Sequence, residues 1–163
     1  MKFKRGDIDG VIIQKLIVHN DERGFLVEIY RSDNLPEGLN PEMGYVSFTK
    51  PGIFRGPHEH LYQTDIFCFI GPGSFRAKLW DNRENSKTRN NCIEIIGGED
   101  NPILLIVPAQ VVHGYKNIST EQGMVINCPN QLYKGWQKKE EVDEIRHEDY
   151  RDEFYLDFIR EDK

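Results

Sequence analysis

Nine short runs of β-type residues dominate this chain: VIIQKLIV (11–18), FLVEIYR (25–31), YVSFTK (45–50), DIFCFI (65–70), SFRAKLW (74–80), CIEII (92–96), ILLIV (103–107), VVHGYKN (111–117) and MVINC (124–128). Most alternate with period two and are rich in Val, Ile, Phe and Tyr, which suits a pleated, half-buried surface. The separators PEGLNPEMG, GPG, DNRENSKTRNN, GGEDNP and STEQG are turn chemistry. Runs this short and this evenly spaced predict an all-β sandwich or barrel.

Past residue 130 the texture changes to QKKEEVDEIRHEDYRDEFYLDFIREDK. Phe154, Tyr155, Phe158 and Ile159 stand at helical spacing there. They can seat a short helix on a sheet or anchor a charged tail. No repeat or linker interrupts the 163 residues, so residues 1–163 are read as one domain.

The bulk numbers narrow the partners. A net charge of −6 gives no basic excess for nucleic acid. An anionic ligand must then be held by a few placed Arg or Lys side chains. Cys68, Cys92 and Cys128 each lie in or beside an apolar run with no CxxC pair, the usage expected of reduced, buried thiols in a cytoplasmic protein. The start MKFKRGDIDG has no apolar signal-peptide core, and ILLIVPAQVV is too short to span a bilayer, so no membrane partner is expected.

Chemistry concentrates in GIFRGPHEHLYQTD, residues 52–65. His58 and His60 are two apart, so on a strand both face the same way. Asp65 follows, and His113 comes later in VPAQVVHGYKN. The order Gly52, His58, His60, Asp65, Gly71 and then Pro108, His113, Asn117 resembles the two-part motif of the cupin superfamily. The resemblance implies a jelly-roll barrel. Asp65 stands where that motif has Glu, the closing glycine comes one residue early, and Gln110 replaces a glycine. An HxH pair alone is a weak signal. With a carboxylate and a third imidazole across a barrel, His58, His60, Asp65 and His113 make a plausible set of ligands for a divalent transition metal.

A closer resemblance covers about residues 7–135. D-x-R-G-x-x-x-E at 21–28, P-G-x-x-R-G-x-H at 51–58 and P-x-x-x-x-H-G at 108–114 look like the nucleotide-sugar 3,5-epimerases of the dTDP-4-dehydrorhamnose type. That family shares the cupin fold and works without metal or other cofactor. The resemblance implies that His58 is the general base, removing a proton from carbon next to a ketone in a nucleotide-activated 4-keto-6-deoxy sugar. Tyr133, in NCPNQLYKGW, would deliver a proton from the opposite face. Arg55 would bind phosphate. Arg23 and Glu28 would contact the nucleotide, partly across a homodimer interface, with Phe25 stacking on the base. His60, Gln63 and His113 would complete the substrate pocket, His113 near the enolate oxygen. Such enzymes serve deoxysugar and cell-surface polysaccharide synthesis.

The chain departs from that pattern in three ways. His60 stands where the family has Gln. The family's lysine, which supports the enolate oxygen, is replaced in Q-T-D by Asp65. The carboxylate partner of the catalytic histidine does not align, although Asp143 and Asp149 stand nearby in VDEIRHED; His147 reads as a surface residue without a role. Two other readings therefore remain: a metal-dependent cupin enzyme, such as a dioxygenase or sugar isomerase, and a sugar-binding cupin without catalysis.

Overall fold

The computed structural model describes residues 3–160. The strands are β1 (Lys4–Arg5), β2 (Ile12–Lys15), β3 (Val18–Asp21), β4 (Gly24–Val27), β5 (Tyr45–Thr49), β6 (Phe54–Glu59), β7 (Asp65–Phe69), β8 (Ser74–Asp81), β9 (Asn91–Gly98), β10 (Ile103–Val107), β11 (Val111–Asn117), β12 (Gly123–Asn127) and β13 (Ile145–Arg146). Two short helices close the described chain, α1 (His147–Tyr150) and α2 (Glu153–Ile159). One sheet runs β1-β9-β8-β11-β6-β13 and the other β2-β10-β7-β12-β5, with β3-β4 as a separate hairpin. The architecture is the β-sandwich that the run spacing predicts.

The core explains why some runs alternate and others do not. Phe67, Phe69, Phe75, Leu79, Leu105, Val111, Tyr115 and Val125 interdigitate between the sheets. The other face of β7 and β10 is also covered: Ile66, Cys68, Leu104 and Ile106 pack with Val27, Ile29, Leu35 and Leu39. Strands buried on both faces read as continuous apolar runs, here DIFCF and ILLIV. The run 11–18 is two strands rather than one. Leu16 turns inward and is buried whereas Ile17 is exposed, so the chain bends between β2 and β3.

The C-terminal segment is a docked helix, not a solvated tail. Phe154 and Phe158, one turn apart, pack with Trp80, Cys92 and Val112 on the outer face of the first sheet. Asp152 caps α2, its Oδ1 accepting from the N–H groups of Phe154 (3.0 Å) and Tyr155 (3.3 Å). Asp157 accepts from the Trp80 indole at 2.8 Å and pairs with Lys78 at 2.9 Å. Among the described residues no helix is long and apolar enough to cross a membrane. All three cysteines are free and buried.

Candidate functional site

The site grows from β6 and its two neighbours. β6 pairs with β11 so that His58 lies opposite His113, with a register shift between His113 and Tyr115. Gly56 permits this approach. Its φ is +81°, and a Cβ there would stand 2.7 Å from the His113 carbonyl oxygen. On its other edge β6 pairs with β13, Ile145 opposite Glu59 and Arg146 opposite His58.

Alternation along β6 then divides the H-E-H triplet. His58 and His60 face a cleft of about 1160 Å³, whose walls include Tyr45, Arg55, Tyr133 and Glu144. Glu59 faces away and is buried. The imidazoles of His58 and His113 meet edge-on with ring centres 4.5 Å apart, and His60 lies 5.4 Å from His58. His113 is buried behind this pair. Burial first, then the neighbouring His113 and His60 rings, hold His58 well below the ordinary imidazole pKa of 6.5; Asp65 pulls the other way. His58 is therefore neutral, with a lone pair available, near neutral pH.

Asp65 is fully enclosed at the start of β7. Its Oδ1 accepts from Gln63 Nε2 (2.9 Å) and Asn127 Nδ2 (2.8 Å). Its Oδ2 lies 3.2 Å from His113 Nε2 and 3.3 Å from His60 Nε2. Burial works to raise the Asp65 pKa, but His113, His60 and Asn127 outweigh it and hold the group at about 2. Oδ2 of Asp65 and Nε2 of His113 nonetheless lack a hydrogen-bond partner. His113 Nδ1 lies 2.9 Å from the Val111 carbonyl and must donate to it, so Nε2 bears a proton only in the imidazolium. The ligand atoms of His58, His60, Asp65 and His113 all lie within 4.8 Å of one another, a grouping whose donor types could hold a cation.

The carboxylate beside His58 is Glu144, whose Oε1 is 3.9 Å from His58 Nδ1. Neither sequence candidate stands there. Asp149 is exposed. Asp143 holds the neighbouring loop, its carboxylate accepting from the N–H groups of Leu61, Tyr62 and Gln63 while its carbonyl accepts from His60 Nδ1. His147 is likewise not a surface residue. It is buried, with Nε2 3.1 Å from Glu59 Oε1 and Nδ1 2.5 Å from Asp152 Oδ2. Sequence reading missed Glu144 and Arg146, which face the same cleft and pair at 2.9 Å. The β13 pairing that delivers them spans two residues and carries no local signal.

The other sequence candidates divide in two. Arg55 lies in the cleft wall, held by bonds to Thr49 Oγ1 and the Phe48 carbonyl, each 3.0 Å. Tyr133 is half-exposed on the same wall, and Gln63 bridges His60 and Asp65. Arg23, Phe25 and Glu28 do not line this cleft in the single chain. Arg23 is tied to Asp21 in the exposed turn of the β3-β4 hairpin, Phe25 is exposed, and Glu28 pairs with Arg31 at 3.5 Å.

Comparison with known proteins places this geometry. Residues 5–153 match the family described as dTDP-4-dehydrorhamnose 3,5-epimerase. The chain is 38% identical over 128 residues to the probable low-salt glycan biosynthesis epimerase Agl13 of Haloferax volcanii, spanning 78% of this chain and 81% of that protein. It is 41% identical over 111 residues to the spore coat polysaccharide biosynthesis protein SpsL of Bacillus subtilis, spanning 67% and 71% respectively. The fold superposes on a dTDP sugar isomerase from Desulfovibrio desulfuricans with a TM-score of 0.74 at 24% identity, over 85% of this chain and 84% of that one. It superposes equally, at 16% identity, on the 3'-monoepimerase ChmJ of Streptomyces bikiniensis, over 88% and 72%. The chain belongs to the dTDP-4-dehydrorhamnose 3,5-epimerase family and is an epimerase of nucleotide-linked sugars.

Proposed function

We propose that this chain inverts C3, C5 or both in a nucleotide-linked 4-keto-6-deoxy sugar, with His58 as the base. The observation that carries the reading is the neutral, cleft-facing His58 beside the Glu144 carboxylate. A proton on carbon next to a ketone is acidic enough for a neutral imidazole when the enolate oxygen is stabilised. His58 takes that proton and becomes an imidazolium, which Glu144 is close enough to favour. Tyr133 gives a proton to the opposite face; His58 then releases its proton to solvent and Tyr133 regains one, so the centre inverts with no net change in composition. This proton transfer requires no redox or organic cofactor.

Arg55 and Arg146 suit the diphosphate, since both face the cleft and a guanidinium fork matches phosphate oxygens. Arg23, Phe25 and Glu28 serve the nucleotide from a second copy of the chain. Their hairpin is exposed, with Phe25 and Leu26 each 61% accessible, and it stands away from its own cleft. The working unit in this reading is a homodimer, each subunit contributing one such domain. It serves glycan or polysaccharide synthesis, in line with the names of the two curated relatives; its three free, buried cysteines suit a reducing cytoplasm, and its net charge of −6 suits a role without nucleic acid or membrane partners.

The test is incubation in deuterated water with a panel of such sugars, following the C3 and C5 protons by NMR. Loss of either signal in the parent protein, abolished in His58→Ala, is the expected outcome. Turnover in His58→Ala equal to the parent would exclude His58 as the base. Light scattering that shows a monomer at working concentration would remove the dimer and the role of Arg23 with it.

A further inference from the structure

Alternation along β5 turns Tyr45 and Ser47 into the cleft and leaves Val46 and Phe48 exposed on the other face. Tyr45 stands directly opposite Asn127 on β12. Its hydroxyl oxygen accepts from Asn127 Nδ2 at 3.0 Å. That amide is itself fixed on both sides. Nδ2 also donates to Asp65 Oδ1 at 2.8 Å, and Oδ1 accepts from the Ile66 N–H at 3.1 Å. The Tyr45 oxygen is thereby anchored at the floor of the cleft, one amide group away from Asp65.

The bond from Asn127 uses a lone pair of that oxygen, not its proton. Among the described residues nothing accepts the Tyr45 proton, which is left to point into the cleft. Burial pushes the phenol up to about 12 against the pull of the Asn127 bond, with Asp65, Tyr115 and Glu144 adding to the rise, so the hydroxyl keeps its proton. Neighbouring donors are tied to protein groups. Gln63 donates to Asp65, Arg146 pairs with Glu144, and the buried Tyr115 hydroxyl meets Ser47 at 3.1 Å. Tyr45 thus presents a fixed, uncharged donor with its proton unspent.

A proton leaves carbon beside a ketone only as its bonding electrons pass toward the ketone oxygen, and the charge that grows there needs a donor already in place. We propose that the Tyr45 hydroxyl donates a hydrogen bond to the ketone oxygen of the sugar and holds that oxygen through the enolate. This deepens the epimerase reading and rests on it. His58 takes the carbon proton, the electron pair moves onto the oxygen, and Tyr45 keeps its own proton throughout. The pair returns to carbon when that carbon is reprotonated. A phenol can do this without carrying charge. Asp65, an anion, stands at this floor where the family resemblance expects a lysine, and Tyr45 supplies from β5 the donor that Asp65 cannot.

The test reads deuterium wash-in and inversion separately in the full-length chain, with the sugar of the panel that exchanges. Tyr45→Phe keeps the ring and loses only the hydroxyl. Its wash-in rate should fall roughly 10²–10³-fold, with KM changed much less. Tyr133→Phe is the contrast: wash-in through His58 should persist while inversion stops. Parent-like wash-in in Tyr45→Phe overturns the proposal. So does loss of inversion alone in that variant, which would make Tyr45 a proton donor to carbon. A second measurement keeps the hydroxyl. With 3-fluorotyrosine at position 45, the ¹⁹F resonance should move when the sugar saturates the protein, and an unmoved resonance overturns the proposal whether or not Tyr45→Phe folds. Absence of wash-in from the parent protein removes the epimerase reading and this proposal together, whereas wash-in that is indifferent to Tyr45 removes the proposal alone.

Discussion

His147 Nε2 lies 3.1 Å from Glu59 Oε1, directly behind the strand face that carries His58 and His60. Asn82 Nδ2 donates to the same oxygen at 2.8 Å, and Asp152 takes the other ring nitrogen of His147. One buried cluster thus fastens the C-terminal segment to the strand bearing the proposed base. The same segment brings Glu144 to His58 and Asp143 to His60.

That cluster makes stability depend on pH. Burial opposes charge on His147, but its hydrogen bonds to Glu59 and Asp152 outweigh it and raise its pKa above 6.5. A raised histidine pKa stabilises the fold fully below the unfolded value near 6.5 and loses that effect as pH rises through the folded value. Melting temperature measured across that window should fall with rising pH, and His147→Gln should flatten the slope. His147→Ala leaves the buried Glu59 with only the neutral Asn82 amide beside it and should cost about 3 kcal/mol in denaturant unfolding.

His58 makes the opposite pH statement for activity. The neutral ring is the active base, and its pKa is held well below 6.5. Deuterium incorporation per unit time should therefore stay level as pH falls through 6.5, and decline only below it. An acid limb centred at or above 6.5 would contradict the buried, neutral assignment. His58→Ala should lower the exchange rate by roughly 10²–10⁴-fold.

Glu144→Gln tests the carboxylate beside that base. The amide keeps the size of the side chain but cannot favour an imidazolium. The rate constant for exchange should fall by about tenfold or more, with KM little changed and the acid limb moved to lower pH. A change confined to KM would assign Glu144 to substrate binding instead.

Gly56→Ala should damage the site through the backbone. A methyl group there meets the His113 carbonyl oxygen at 2.7 Å, and the +81° φ disfavours any side chain. β6 must then draw away from β11, separating His58 from His113. Loss of exchange activity together with a lowered melting temperature is the expected result.

Phe158→Ala should release α2 from the outer sheet face. Phe158 is 4% accessible and packs edge-on against Trp80 and Phe54. Its truncation should cost roughly 3–5 kcal/mol. Exposure of the fully buried Trp80 would appear as a red shift in indole fluorescence.

Much of this architecture is local and was therefore legible. Runs such as SFRAKLW and VVHGYKN carry their own period, and β8 and β11 form where the alternation predicts. His58, His60 and His113 could be grouped because strand periodicity fixes which way a side chain faces, and the motif spacing put the third histidine on a second strand. Phe154 and Phe158 likewise announce a helix face by their spacing.

The rest depends on contacts between residues far apart in the chain. Glu144 reaches His58 only because β13, a two-residue strand with no apolar pattern, pairs with the edge of β6. His147 looks like one more charged residue in VDEIRHED, and its burial follows from a Glu59 side chain 88 positions earlier. The sequence by itself determined most of the long strands, the fold class and the family; tertiary structure decided which carboxylate meets which imidazole. Strand periodicity is written into neighbouring residues, whereas hydrogen bonding across the sandwich depends on angles and separations that exist only once both sheets and the C-terminal helix have packed.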